Sequence, residues 1–377
     1  MKKIAFVTEI VSPYRVPFLN ALNNLLKSEK SVLNVFFLRE SESRRDWAVE
    51  KERLACPYKI AKSILFQRPD QEPHYLNFGL KRQISDLDPD ILILGGFAQP
   101  AYWSLLFWAK KNKKNIILFC ESFQKADSIS YFLFKSFFVK KCNKFVVPGR
   151  FSKEYLIKLG AKEEDIFIAP DAVENNYYTS ANLKWNDKKS ELKKEKGFPD
   201  RIILYAGRIN KIKGIYDLLD VFKKVNLIFK NTGLVIVGSS VQEGSFRAYC
   251  KKQNIENVFF EGYKQKEELV KYYAMADIFV LPAYYDPWGM VINEAMLSKL
   301  AVVSSTSSQA AIELIKDGEN GFLYKAGDIQ ELYKKIDVLL QDEKLKVNFA
   351  KNAFDSINKT TPELMAEGFL KAIHNCI

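Results

Sequence analysis

Short charge-free runs of aliphatic and β-branched residues alternate along the chain with longer segments whose apolar positions recur every three or four residues. In the first half the runs are Ile4 to Thr8, Val32 to Leu38, Ile91 to Leu94, Ile116 to Cys120 and Phe145 to Val147. Runs of this kind suit strands buried on both faces. After the first of them, Pro17 marks a helix start and Phe18, Leu19, Leu22, Leu25 and Leu26 fall on one face. Strand and helix in alternation predict a parallel sheet with covering helices. The rhythm lapses between Glu174 and Pro199, where Asn, Lys, Tyr, Ser and Asp predominate, and resumes with Ile202 to Ala206, Leu234 to Gly238, Val258 to Phe260, Ile278 to Leu281 and Ala301 to Ser304. The expected organisation is a Rossmann-like N-terminal domain over 1–173, a linker over 174–199 and a second doubly wound domain over 200–360. A C-terminal helix over about 361–377 is expected to pack back on the first domain. Two such α/β domains facing a central cleft place ligands beyond the carboxyl ends of their strands.

A length of 377 residues fits two domains, and 47% apolar with 27% charged residues excludes disordered and fibrous classes. The opening Met-Lys-Lys before Ile4 to Val7 resembles an export signal, but Glu9 and Arg15 interrupt the apolar stretch. The long uncharged run from Ile91 to Ala109 is broken by Gly95, Gly96, Gln99 and Pro100, so no transmembrane helix is expected. Five scattered cysteines without a C-x-x-C pair suggest neither a disulfide framework nor a zinc site and fit a reducing cytosol. His74 and His374 lie far from any Ser or Cys motif, which disfavours triad hydrolysis and histidine-ligated metal chemistry.

The net charge of +12 is uneven: Lys110 to Phe145 holds nine lysines against Glu121 and Asp127, a local +7. Such an excess implies an anionic partner or else a solvated basic face. Within it, Tyr131 to Lys141 interleaves aromatic residues with Lys135, Lys140 and Lys141, as an interfacial helix does; a core helix with its lysines in solvent reads equally well. Because no aromatic and basic nucleic-acid motif is present, the expected partner is an anionic membrane surface and not nucleic acid.

Chemistry concentrates in the second half. The strand ending at Ala206 runs into Gly207 and Arg208, then Lys213 and Gly214 before a helix. Two cations with glycines that allow close backbone approach make a diphosphate cradle, although alone such a turn is often merely solvated. Beyond Leu281, Tyr284 to Glu294 passes through Asp286, Pro287, Trp288, Gly289, Met290, Val291 and Asn293, a loop opening into a helix whose free N–H groups favour an anion. Asp286 and Glu294, eight positions apart, supply two carboxylates for hydroxyl groups on either side.

These residues resemble the group 1 (family 4) retaining glycosyltransferases of GT-B fold. The similarity runs through Gly207-Arg208, Lys213-Gly214, Phe260-Glu261-Gly262-Tyr263, Ala276-Asp277, Asp286-x7-Glu294 and Asp317-Gly318-Glu319-Asn320-Gly321-Phe322. It implies that Arg208 and Lys213 bind the diphosphate of a nucleotide-sugar donor, Glu294 its ribose, Asp286 with Gly289, Met290 and Val291 the transferred sugar, and residues near Tyr263 the base. Gly207 and Trp288 complete this donor set, and no metal or other cofactor is implied. The pattern departs from the family at Asp286, commonly Glu, and at Ser307, Ser308 and Gln309, where a glycine pair is common and no role is assigned. It departs again at Cys120-Glu121-Ser122, where many members carry His. Glu121 is open to three readings: a base, a hydrogen-bond partner for a substrate hydroxyl, or a structural cap. Ser12, Tyr14 and Arg15 after the first strand, with Gly95 and Gly96 after a later one, are the acceptor-side candidates; the glycines also suit a plain tight turn.

The expected activity is metal-independent transfer of a sugar to an acceptor hydroxyl in cell-surface polysaccharide or glycolipid synthesis. The acceptor is expected to be lipid-linked or a glycolipid, and the enzyme cytoplasmic and peripheral at the inner face of the membrane. The alternatives are a nucleotide-sugar epimerase of related fold, which would need no acceptor, and a non-catalytic membrane-surface binding protein.

Overall fold

The structure is a computed structural model describing residues 1–41, 47–66, 74–123, 128–239 and 242–376. Two compact units share the chain, residues 1–172 with 361–377 forming one and residues 173–360 the other.

The first unit begins β1 (Lys3–Thr8), α1 (Arg15–Ser28), β2 (Val32–Phe37), β3 (Tyr58–Ile60), β4 (Lys62–Phe66) and β5 (His74–Phe78). It continues α2 (Leu80–Leu87), β6 (Ile91–Leu94), α3 (Pro100–Lys111), β7 (Asn115–Phe119), α4 (Ile129–Val139), β8 (Lys144–Val147), α5 (Arg150–Lys158) and β9 (Ile166–Ile168). Seven strands pair in parallel in the order β3-β2-β1-β6-β7-β8-β9. Period-two alternation divides the central strands between two apolar layers: Ala5, Val7, Leu92 and Leu94 face α2 to α5, while Ile4, Phe6, Ile91 and Ile93 face α1. The order reverses between β1 and β6, which makes their carboxyl ends the topological switch point. Apart from this sheet, β4 and β5 form an antiparallel hairpin with Lys62 opposite Phe78 and Phe66 opposite His74. Neither the hairpin nor the short edge strands β3 and β9 are among the strands that periodicity predicts.

The second unit comprises α6 (Asn175–Asn186), α7 (Lys189–Lys196), β10 (Arg201–Ala206), α8 (Ile215–Ile228), β11 (Thr232–Val237), α9 (Glu243–Gln253), β12 (Val258–Gly262) and α10 (Lys266–Met275). It then runs β13 (Ile278–Leu281), α11 (Met290–Leu297), β14 (Ala301–Ser305), α12 (Gln309–Leu314), β15 (Phe322–Tyr324), α13 (Ile329–Gln341) and α14 (Glu343–Ile357). Its parallel sheet has the order β12-β11-β10-β13-β14-β15, with the switch point between β10 and β13. The expected linker over 174–199 is instead helical. There α6 packs on α10, and α7 places Lys189 and Lys193 at 2.8 and 3.1 Å from Asp277. Their inward positions are Asn175, Tyr178 and Lys193, so no aliphatic period marks the helices.

The last helix, α15 (Pro362–His374), belongs to the first unit. Its Phe369 ring meets Phe18 at 4.6 Å, Phe119 at 5.0 Å and Phe6 at 5.8 Å. A Cβ on Gly368 would stand 2.6 Å from that of Ala169, so only glycine admits this approach to the chain after β9.

Candidate functional site

Backbone contact between strand ends shapes the switch point of the second unit. Gly207 leaves β10 at φ 139°, and a Cβ on Gly238 would stand 1.8 Å from the Gly207 carbonyl oxygen. The Tyr205 phenol donates to the Arg208 carbonyl at 2.6 Å and fixes the turn, leaving the Arg208 side chain exposed. Among the described residues no carboxylate pairs with Arg208. Asn210 accepts the Lys213 N–H at 3.1 Å, and Gly214, at φ 70°, brings the turn so close to β13 that a Cβ there would lie 2.1 Å from the Pro282 oxygen. This wedge sets Lys213 Nζ 2.5 Å from Asp286 Oδ2 and 3.2 Å from the Tyr285 carbonyl oxygen. The two side chains are only 8% and 16% exposed, so their charges meet largely out of water.

Asp286 lies in a loop that the chain after β14 holds from behind. Its N–H donates to the Ser307 carbonyl at 3.1 Å, the Ser308 hydroxyl to that of Trp288 at 2.6 Å, and the Gln309 amide to that of Pro287 at 3.0 Å. Ser307, Ser308 and Gln309, to which sequence reasoning assigns nothing, are thus the scaffold of this loop. Gly289 then opens α11 at φ 102° with no side-chain cap, and the half-buried residues Met290 and Val291 form its first turn, where N–H groups have no partner within the helix.

Two expected donor contacts are placed differently. Trp288 is 3% exposed and its indole donates to Asn293 Oδ1 at 3.0 Å, so the side chain is a wedge beneath the loop and only its backbone belongs to the surface. Glu294 is wholly buried, with Oε1 accepting from the Tyr178 phenol at 2.7 Å and Oε2 from the Tyr273 phenol at 2.6 Å. Neither tyrosine stands out in the sequence, because Tyr178 falls in the stretch without apolar period. Half-buried Tyr263, just past β12, donates its hydroxyl to Gln265 at 3.3 Å.

In the first unit the expected acceptor-side residues gather beyond the ends of β1, β6 and β7. Ser12 accepts the Tyr14 N–H on its hydroxyl at 3.3 Å and the Arg15 N–H on its carbonyl at 2.9 Å. The Arg15 guanidinium pairs closely with Glu121, lies 3.5 Å from Asp171 Oδ1 and covers the Phe119 ring at 4.6 Å. The Gly95 N–H donates to the Val7 carbonyl at 2.8 Å, where a Cβ would stand 3.0 Å from the same oxygen, and Gly96 packs beside the Tyr102 ring. Asp171 is the residue that sequence reasoning misses: Pro170-Asp171-Ala172 carries only a turn signal. Burial, then the negative charge of Glu121, pushes its carboxyl well above the ordinary range, with Arg15 opposing.

The basic segment is also sorted by the fold. Lys135 points inward, donating to the Tyr155 hydroxyl at 2.9 Å and lying 4.1 Å over the Tyr131 ring, so it does not belong to a surface lysine set. Lys140 and Lys141 are exposed, as are Phe132, Phe134 and Phe137. Trp103 of α3 stacks on Phe134 at 3.7 Å.

The cations, the Asp286 loop and α11 all fall in one stretch with a recognisable relationship. Residues 184–356 match the family model for glycosyl transferases group 1. The group 1 glycosyltransferase match therefore covers Gly207, Arg208, Lys213, Tyr263, Asp286, Gly289 and Glu294 together. Among similar proteins, the capsular polysaccharide biosynthesis glycosyltransferase CapM of Staphylococcus aureus is 27% identical over 197 residues, 50% of this chain and 50% of that protein. The N,N'-diacetylbacillosaminyl-diphospho-undecaprenol alpha-1,3-N-acetylgalactosaminyltransferase of Campylobacter jejuni is 26% identical over 233 residues, 62% of this chain and 60% of that protein. The chain spans about half the length of the curated relatives it matches. Among solved structures, HepE of Anabaena with UDP and glucose superposes at TM-score 0.77 with 16% identity, covering 100% of both chains. A glycosyltransferase of Rickettsia africae gives 0.78 at 18% identity, covering 100% of this chain and 98% of that one. The chain has the α/β GT-B fold of these structures.

Proposed function

We propose that the chain is a metal-independent glycosyltransferase that moves a sugar from a nucleoside-diphosphate sugar to a hydroxyl of a lipid-linked or glycolipid acceptor, with retained configuration, in cell-surface polysaccharide synthesis. The observation that carries this reading is the Lys213–Asp286 pair beside exposed Arg208 and the uncapped start of α11, all at the switch point of the unit matched by the group 1 model. As the bond from the sugar's anomeric carbon to the diphosphate breaks, negative charge grows on the leaving group. Arg208, Lys213 and the N–H groups of Met290 and Val291 oppose it. The anomeric carbon bonds to the acceptor oxygen, whose proton passes to the departing diphosphate oxygen, so that the products are the glycoside and the nucleoside diphosphate.

Asp286, already oriented by Lys213, accepts hydrogen bonds from the transferred sugar, and Tyr263 lies against the base. Glu294 reaches a ribose only if Tyr178 or Tyr273 releases it; held by both, it anchors α11. On the acceptor side, Glu121 is engaged by Arg15 and acts as a hydrogen-bond partner for a hydroxyl in preference to a free base, with Ser12, Tyr14, Gly95 and Gly96 around it. Support for the donor and acceptor classes comes from the UDP in the HepE complex and the diphospho-undecaprenol in the Campylobacter name. Such an acceptor puts the protein on the cytoplasmic face of an anionic membrane, where Lys140 and Lys141 meet the leaflet.

The test is incubation with a panel of sugar nucleotides and an undecaprenyl-diphosphate-linked acceptor in a chelator, followed by mass spectrometry. Glycosylated lipid with released nucleoside diphosphate is expected. An epimerised sugar nucleotide formed without acceptor, or no turnover of any donor, overturns the reading.

A further inference from the structure

Antiparallel hairpins that rest on a domain ordinarily turn their polar face to water. The β4–β5 hairpin of the first unit does the reverse. Register puts Lys62, Ile64 and Phe66 of β4 with His74, Leu76 and Phe78 of β5 on one face, and Ser63, Leu65, Tyr75 and Asn77 on the other. The second face is attached through β5, where Tyr75 is buried, its N–H donates to the Gln99 side chain at 3.1 Å and the Asn77 amide donates to the Leu38 carbonyl at 2.6 Å, while Leu65 of β4 on that face is 47% exposed. The first face stands in solvent with Ile64 55%, Phe66 60%, Leu76 44% and Phe78 54% exposed. Four large apolar side chains side by side on an otherwise anchored hairpin form a patch that packing within the unit does not use.

Charge decides what covers it. Over residues 58–82 the sequence carries Lys59, Lys62, Arg68, Lys81 and Arg82 against Asp70 and Glu72, and the described cations of this group are all exposed. An apolar face that carries Lys62 in register with Phe78, within a segment of net positive sequence, complements an anionic lipid interface, where the side chains enter the acyl boundary and the lysine meets phosphate. A second copy of this chain presents the same Lys62 and the same net positive segment and is repelled.

We propose that the outer face of the β4–β5 hairpin is a lipid-inserting element that docks the first unit on an anionic leaflet. It is a contact separate from the lysines after α4, although Gln99, which accepts from β5, immediately precedes α3, and α3 carries the Trp103 that stacks on α4. The inference does not rest on sugar transfer, since vesicles contain neither donor nor acceptor, and either can fail while the other stands.

The experiment is flotation of the full chain with phosphatidylcholine vesicles containing phosphatidylglycerol. The parent is compared with Ile64→Thr/Phe66→Thr/Phe78→Thr, which keeps β-forming side chains, and with Val347→Thr/Leu364→Thr, exposed apolar positions elsewhere. The hairpin variant is expected to keep its far-UV circular dichroism and lose at least about tenfold in vesicle affinity, while the control variant floats as the parent does. Phe66→Trp is expected to show fluorescence quenched by brominated lipid. Failure of the parent to float, equal flotation of parent and hairpin variant, or an unquenched Trp overturns the proposal. So does a lipid-free dimer of the parent, seen by sedimentation, that the hairpin variant disperses.

Discussion

Lys213 and Asp286 engage each other before any ligand arrives, and this alters what a substitution at either position does. Lys213→Ala leaves a mostly buried carboxylate alone and is expected to cost about 3 kcal/mol in urea unfolding as well as turnover. Lys213→Met with Asp286→Asn removes both charges and is expected to recover much of that stability with none of the turnover. Exposed Arg208 separates the two effects: Arg208→Ala is expected to change stability by less than about 0.5 kcal/mol while lowering turnover at least about 100-fold. Equal stability of the Lys213 single and double variants, or near-normal turnover in Arg208→Ala, contradicts the assignment. At Glu294, Tyr178→Phe and Tyr273→Phe each strip one hydrogen bond from a buried carboxylate and are expected to destabilise by about 1.5–3 kcal/mol. Asp171 supplies a pH signature. Its raised carboxyl keeps its proton in the folded state at pH values where the unfolded chain has lost it, so stability declines as pH rises above the ordinary carboxylate range. Urea midpoints above that range should flatten in Asp171→Asn; an unchanged slope assigns the proton elsewhere, Arg15 and Glu121 being the charged groups that face it.

At the scale of elements, the start of α11 is the most constrained point. Gly289 sits at φ 102° with a would-be Cβ 2.6 Å from the Ser308 hydroxyl, so Gly289→Ala is expected to cost about 1–3 kcal/mol and to shift the Met290 and Val291 N–H groups. Thermal unfolding with nucleotide titration reads both effects, and an unchanged midpoint with unchanged affinity contradicts the tight loop. Strands β1, β6, β7, β10 and β13, which precede the candidate sites, were legible because the core of each is a charge-free run buried on both faces. Arg208, Lys213, Asp286 and Gly289 were legible because they follow such strands. What escaped did so for physical reasons. The helices α6 and α7 bury Tyr178 and Lys193 where an aliphatic period was sought. Lys135 was read as a surface charge because its stem and ammonium find Tyr155 and Tyr131 only in three dimensions. The hairpin turns its apolar face outward, against the rule by which strands are read. Ser307 to Gln309 act through backbone and hydroxyl bonds that no pattern of residue types announces.

At the scale of the whole molecule, the C-terminal seventeen residues belong to the unit that contains the N-terminus. Removing 361–377 strips Phe369 from Phe6, Phe18 and Phe119, and the truncated chain is expected to aggregate or to unfold at markedly lower temperature than the full chain. We read the switch point of the second unit as a diphosphate site. Thermal shift of the full chain with uridine, guanosine, adenosine, cytidine and thymidine diphosphates tests it most directly, since a ligand that binds only the folded state at one hundred times its Kd adds about 2.7 kcal/mol. At least one nucleotide is expected to raise the midpoint of the parent and to lose that effect in Arg208→Ala, whose unliganded midpoint stays where it was. No rise with any nucleotide, or the same rise in parent and Arg208→Ala, contradicts the claim.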